Sequence, residues 1–81
     1  MVKVVLWGGL RALADGESEF EFPAPTIQDV FRRLIERYPG LEPELKHNVS
    51  VSVDGQIFRD ALFVPIDEDA EVFILPKLQG G

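Results

Sequence analysis

Few side chains in this sequence can do covalent chemistry, and the missing types narrow the options first. There is no cysteine and one histidine, His47. Disulfides, a thiolate metal site, a cysteine nucleophile and a histidine metal cluster are therefore excluded. His47, beside Lys46, reads as an exposed loop residue, and the run Asp67-Glu68-Asp69 lacks the regular oxygen-ligand spacing of a calcium loop, so it reads as a solvated turn. The reactive group that remains stands at the end of the sequence, in Leu75-Pro76-Lys77-Leu78-Gln79-Gly80-Gly81. A carboxylate on Gly81 follows two residues without Cβ atoms, so it can be threaded through a narrow channel and activated without steric hindrance. A terminal carboxylate titrates near ~3.3–3.7, which makes it an anion and a poor electrophile at neutral pH until something activates it. Pro76 stops the preceding strand, having no N–H for a further ladder bond. The five residues beyond it can reach about 16–18 Å, enough to deliver Gly81 into another protein's active site. Alone, a Gly-Gly end is a frayed terminus; what it means depends on the body that carries it.

That body is small. Eighty-one residues make one domain, and a domain of this size buries only roughly 60–65% of the surface its unfolded chain exposes. A deep internal active site has no room to form. With 46% hydrophobic and 27% charged residues the composition is that of an ordinary globular protein. The net charge of −6 argues against nucleic acid and suits a partner with a positive face. No apolar run approaches the ~20 residues a bilayer requires, and Met1-Val2-Lys3 leads straight into a strand, so the expected compartment is the cytoplasm, with no membrane association.

Val2, Val4 and Leu6 alternate with Lys3, Val5 and Trp7, a strand with apolar residues on both faces and its even positions toward the core. Gly8 to Gly16 is a connection turning at its glycines, with a helical turn over Leu10 to Ala14. Glu17 to Phe22 resumes alternation, Phe20 and Phe22 inward, as a second strand at a sheet edge. Pro23-Ala24-Pro25 breaks it, and Thr26 followed by Asp29 predicts a helix start. Ile27, Val30, Phe31, Leu34, Ile35 and Tyr38 form one apolar helical stripe, with Asp29, Arg32, Arg33, Glu36 and Arg37 on the water side. The bland account of those arginines is pairing with Asp29 and Glu36. Pro39-Gly40 ends the helix, and Leu41 to His47 is expected to be a polar connection. Val49, Val51 and Val53 alternate with polar residues, and Asp54-Gly55 signals a type I′ hairpin into Gln56 to Arg59. Asp60 to Asp69 is a longer connection with Leu62, Phe63 and Ile66 as satellite core. Glu71 to Leu75 closes as a strand, Val72 and Ile74 inward, Phe73 and Leu75 outward.

Two strands, a helix, two strands and a last strand predict an α+β β-grasp (ubiquitin-like) domain over residues 1–81. Its mixed sheet has about five strands, the first and last parallel at its centre, with one main helix on one face and a flexible tail at 77–81. The segments Lys3-Val4-Val5-Leu6-Trp7, Leu10-Arg11-Ala12-Leu13-Ala14, Arg37-Tyr38-Pro39-Gly40-Leu41, Val53-Asp54-Gly55, Glu71-Val72 and Pro76 to Gly81 resemble, in order and spacing, the ubiquitin-like sulfur carriers of the MoaD/ThiS family. The resemblance covers the whole chain, and its length and Leu10 to Ala14 segment are most similar to the small subunit of molybdopterin synthase. It departs where the family commonly reads Gly-Asp-Glu-Val before the last strand, here Asp69-Ala70-Glu71-Val72, and Pro-Pro just after it, here Pro76-Lys77.

The resemblance implies a carrier and not an enzyme by itself. A ubiquitin-activating-like adenylyltransferase would use ATP to adenylate Gly81, and a sulfur donor would convert it to a thiocarboxylate for molybdopterin (molybdenum cofactor) biosynthesis. The sulfur would pass to the synthase large subunit or another sulfur-accepting enzyme. Thiamine thiazole, cysteine or another thio-metabolite are alternative destinations, protein modification through Gly81 is a further one, and a plain binding domain is the reading from a different class. No cofactor or metal would be held by the chain itself. Tail recognition would fall on Pro76, Lys77, Leu78, Gln79 and Gly80. Trp7, Phe73 and Leu75, with Ile57 or Phe58, would form an apolar docking patch on the sheet face away from the helix. Since only Leu78 in the tail is apolar and two glycines raise the entropic cost of fixing it, Lys77 to Gly81 are expected to be mobile in the free monomer, which low amide order parameters for Gln79 to Gly81 would confirm.

Overall fold

The computed structural model describes residues 1–47, 49–58 and 63–76. Its centre is the parallel pair β1 (Val2–Leu6) and β5 (Glu71–Pro76), in register from Lys3↔Glu71 to Leu6↔Ile74. β2 (Glu19–Phe22) pairs antiparallel to β1, while β3 (Val49–Val53) pairs antiparallel to β5 and carries β4 (Gln56–Phe58) outside it. The spatial order is β2-β1-β5-β3-β4. This is the predicted β-grasp sheet.

The alternation predicted for β1 and β5 is present, because the period of two sends Val2, Val4, Leu6, Val72 and Ile74 to one face, where all are buried. Helix α1 (Ile27–Arg37) covers that face with Ile27, Val30, Phe31 and Leu34 buried and Ile35 and Tyr38 at the margin. Thr26 caps it, its hydroxyl oxygen accepting from the Asp29 N–H at 3.3 Å and its proton going to the Asp29 carboxylate at 2.8 Å. Such a cap satisfies one of the orphan donors of the first turn and stabilises by ~1 kcal/mol.

Further anchorage comes from the connection between β4 and β5. The Ile27 N–H donates to the Val64 carbonyl at 3.4 Å, the Ile66 N–H donates to the Pro25 carbonyl at 3.0 Å, and Thr26 and Pro65 form an isolated antiparallel bridge. The start of α1 is thereby tied to a segment far from it in sequence. The β3–β4 hairpin turns as predicted, with Asp54 and Gly55 both at positive φ, 49° and 88°. Asp54 also anchors β5, donating its N–H to the Glu71 carbonyl at 3.0 Å and accepting from the Glu71 N–H at 2.9 Å through its side chain.

Several expectations need correction. The segment after α1 is not a polar connection: Pro39–Leu41 form a 3₁₀ turn and Glu42–His47 a second helix, α2, with Leu41 and Leu45 buried against the main core. Two leucines four apart were the signal, outweighed by the polar residues around them. Gly8–Ala14 is 3₁₀ throughout, longer than the turn expected from Leu10, and it ends at Asp15 in the left-handed region. β2 starts at Glu19 and not at Glu17. Pro76 lies in β5 as its last residue, opposite Val49, before its missing N–H interrupts the ladder. Of the predicted satellite core, Ile66 packs against the core, whereas Phe63 is 80% exposed; Leu62 lies outside the described residues. Val64 takes the inward place instead.

These placements predict opposite outcomes for two hydrophobic truncations. Leu41→Ala is expected to cost about 2–5 kcal/mol, as for a buried leucine. Phe63→Ala is expected to fall within about 0.5 kcal/mol of wild type, and urea melts of the two variants measure the difference.

Candidate functional site: the open sheet face and the end of the last strand

The face of the sheet away from α1 is built by the residues that β1, β5, β3 and β4 do not send into the core. Registers Val5↔Phe73, Ser52↔Phe73, Ser52↔Ile57 and Ser50↔Leu75 place these side chains in adjacent rows on that one face. Trp7 follows β1 in extended conformation, held by its N–H donating to the Ile74 carbonyl at 3.0 Å. Its indole meets the Phe73 ring edge-on at a centroid distance of 6.3 Å and an interplanar angle of 74°. Trp7 is 51% exposed and Ile57 66% exposed, while Phe73 and Leu75 are half-buried.

Between Phe73 and Ile57 the intervening strand contributes only Ser52, which is buried with just 8% of its surface exposed. A small residue flanked by two large apolar ones leaves a trough, a shape a protruding partner side chain can fill. At the other end of the same face, Lys3 bridges strands β2 and β5 through Glu19 at 3.4 Å and Glu71 at 3.9 Å. The face is thus apolar at one end and charged at the other.

Trp7, Ile57, Phe73 and Leu75 are brought together here. Phe58 is not: its register partner is the buried Val51, and it packs against the core on the helix side. Adjacent strand residues point to opposite faces, so the Ile57/Phe58 pair cannot contribute both members. Sequence reasoning missed Val5, Ser50 and Ser52, whose positions on this face depend on cross-strand register. Lys77, Leu78, Gln79, Gly80 and Gly81 lie outside the described residues; Pro76 is exposed at the end of β5.

The parallel pairing of β1 and β5 decides where that end is. Both strands run toward the same edge of the domain, so Pro76 ends beside the Trp7–Gly8 corner. The approach is close: Gly8 has a φ of +63°, and a Cβ there would come within 2.9 Å of Pro76 Cγ. Glycine suits a left-handed corner of this kind. Arg11 Nε donates to the Gly8 carbonyl at 3.4 Å from the next turn. Among the described residues, no group of His, Cys, Asp or Glu side chains could hold a metal ion, and no helix is long and apolar enough to cross a membrane.

Residues 4–81 match the ThiS family, described as such over nearly the whole chain. The chain belongs to the ThiS family. It is a ubiquitin-like sulfur carrier of the ThiS/MoaD type. A molybdopterin synthase sulfur carrier subunit from Caenorhabditis briggsae is 29% identical over 82 residues, covering 99% of this chain and 96% of the relative. The solution structure of small archaeal modifier protein 1 from Methanosarcina acetivorans superposes with a TM-score of 0.81 at 26% identity, covering 99% of this chain and 95% of that one. The crystal structure of the BexX/CysO complex from Amycolatopsis orientalis contains a chain that superposes with a TM-score of 0.82 at 22% identity, with full coverage of both, a likeness of fold.

Trp7 is the only tryptophan of this ThiS-family chain, so its surroundings can be read directly. Its fluorescence is expected to be readily quenched by acrylamide. Trp7→Ala is expected to lower stability well below the ~3–5 kcal/mol typical of a buried aromatic, as measured by urea unfolding followed by circular dichroism.

Proposed function

We propose that this chain carries sulfur as a thiocarboxylate on Gly81, and that it does so for molybdopterin biosynthesis in the cytoplasm. The observation that carries the reading is the shared end of the sheet: the strand that leads into the Gly-Gly tail finishes at Pro76, beside the apolar corner made by Trp7, Phe73 and Leu75. A partner that seats on the open face is then already next to the root of the tail. Five extended residues reach about 16–18 Å from there, so the reacting carboxylate and the docking patch can engage different parts of one partner surface.

The chemistry divides accordingly. A carboxylate oxygen of Gly81 attacks the α-phosphorus of ATP in the activating enzyme, pyrophosphate leaves, and the acyl-adenylate is displaced by a sulfur nucleophile with loss of AMP. The adenylation and the sulfur source are supplied by partners. This chain supplies an unhindered acyl end and a recognition surface, with Pro76 to Gly80 gripped in an extended form. Trp7, Ile57, Phe73 and Leu75 act as anchors, and loss of one such anchor can cost ~2 kcal/mol or more of binding. The similarity to the Caenorhabditis briggsae molybdopterin synthase sulfur carrier subunit supports the destination. A second reading, conjugation of Gly81 to lysine amines, is favoured by the likeness to the Methanosarcina acetivorans modifier protein.

Incubation with the cognate activating enzyme, ATP and a sulfide source is expected to give an intact mass increased by the replacement of one oxygen with sulfur. The gain is expected to disappear when Gly81 is deleted or when residues are appended beyond it, with the circular dichroism spectrum unchanged. Full sulfur loading of a chain lacking Gly81 would refute the carrier reading. Covalent adducts to lysines of other proteins, with no sulfur gain, would replace it with the modifier reading.

A further inference from the structure

The close approach of Gly8 to Pro76 follows from the hydrogen-bond pattern of the parallel pair. Successive residues of a strand send their N–H and C=O groups to alternate sides. The Lys3 N–H donates to the Ala70 carbonyl and the Trp7 N–H to the Ile74 carbonyl, both at 3.0 Å, so the even-numbered residues of β5 turn their backbone polar groups toward β1. At position 76 the nitrogen carries a pyrrolidine ring in place of a proton. The ring therefore points across the ladder toward the Trp7–Gly8 corner, where the next hydrogen bond would have run.

Position 8 accommodates that ring because it is a glycine. A Cβ there would stand 2.9 Å from Pro76 Cγ and 3.5 Å from Pro76 Cδ, the first well inside the contact distance of two carbon atoms. A proline ring is bonded to its own backbone nitrogen and has no rotamer in which to swing aside, so beyond a change of pucker the relief must come from the backbone. The left-handed φ of +63° is not the whole constraint. Gly16 has a φ of +84° as well, yet a Cβ there would meet nothing within 4 Å.

We propose that Gly8 is a positioning residue for sulfur loading, an inference that rests on the carrier reading above: it leaves the seat that holds the Pro76 ring, and so sets the direction in which the tail leaves the sheet. Pro76 is the last residue of β5, and its ring locks φ near about −65°. Ring and backbone therefore move as one unit, and seating the one aims the other. Once a partner has docked on the Trp7 face and holds the tail extended, no slack remains to absorb an error at its root. A tilt of about 10° there moves the end of a segment of about 16–18 Å by about 3 Å, and a misplacement of about 1 Å can cost about 100-fold in rate. The docking face thus governs KM, and the Gly8 seat governs kcat.

The test is the initial rate of sulfur loading, read by intact mass, with the cognate activating enzyme, ATP, a sulfide source and varied concentrations of the full chain. Gly8→Ala is expected to lower kcat about tenfold with KM unchanged. Gly16→Ala, which shares the positive φ but not the neighbour, is expected to leave both unchanged. Pro76→Ala, which removes the ring, is expected to lose a similar share of kcat, and adding Gly8→Ala to it is expected to cost nothing more. In the free wild-type chain a nuclear Overhauser contact between the Gly8 Hα and Pro76 Hγ protons is expected. Full kcat in Gly8→Ala or Pro76→Ala, a defect confined to KM, an equal loss in Gly16→Ala, additive losses in the double variant, or absence of the Overhauser contact would each overturn the proposal. If Gly8→Ala does not fold, the Pro76→Ala kinetics and the Overhauser contact decide it. A wild-type chain that gains no sulfur refutes the carrier reading and this inference with it, whereas normal wild-type loading with an unaffected Gly8→Ala overturns this inference alone.

Discussion

The pairing on which the rest depends is the parallel one between β1 and β5, strands separated by almost the whole chain. Parallel strands cannot be joined by a tight turn, so everything between Leu6 and Glu71 is the crossover that brings the second strand beside the first. The hairpin partners β2 and β3 then occupy the outer edges of that pair, and α1 covers the face where Val4, Val72, Leu6 and Ile74 stand together. Long-range pairing of this kind carries a loop-closure cost before any contact is formed. The structure offsets it with several ties across the crossover: Asp54 onto Glu71, and the Val64 and Pro25 carbonyls onto the start of the helix and the segment before β5.

A parallel central pair has a consequence for function as well as stability. The last strand must point the same way as the first, so the end that holds Trp7 is also the end from which residues after Pro76 depart. Had the two strands been antiparallel, the root of the tail would lie near Met1, at the opposite edge of the sheet from the aromatic corner. The placement of Pro76 and the apolar surface on one rim is thus a product of strand direction, and no single residue accounts for it.

The two faces of the sheet divide the labour. The helix side is closed by α1 and, unexpectedly, by Leu41 and Leu45 of the second helical segment, so its apolar area contributes to folding. The open side keeps Trp7 and Ile57 in water with only partial support from Phe73 and Leu75, area that contributes little until something covers it. The rim between β2 and α1 belongs to neither category. There the Arg33 and Arg37 guanidiniums lie over the rings of Phe22 and Tyr38, with Glu21 and Glu36 lining the same cleft.

What the sequence determined by itself were the features encoded in short-range pattern. Strict alternation in Val2 to Leu6 and Glu71 to Leu75, the Thr26–Asp29 cap, the helical stripe and Asp54-Gly55 each follow from local geometry, and each stands in the structure where the pattern puts it. The ThiS/MoaD resemblance was legible for the same reason, since it rests on the order of those local signals and on the closing Gly80-Gly81. Tertiary structure decided what depends on register and on neighbours from elsewhere in the chain. Phe58 turned inward because its partner Val51 faces the core, Ser52 became the floor between Phe73 and Ile57, and Phe63 stayed in solvent while Val64 took the inward place. Leu41 and Leu45 lie among residues polar enough to suggest a loop, and only the core surface waiting beneath them made that stretch a helix. A strand's period says which residues share a face; which partner lies across that face is set by contacts that no local pattern contains.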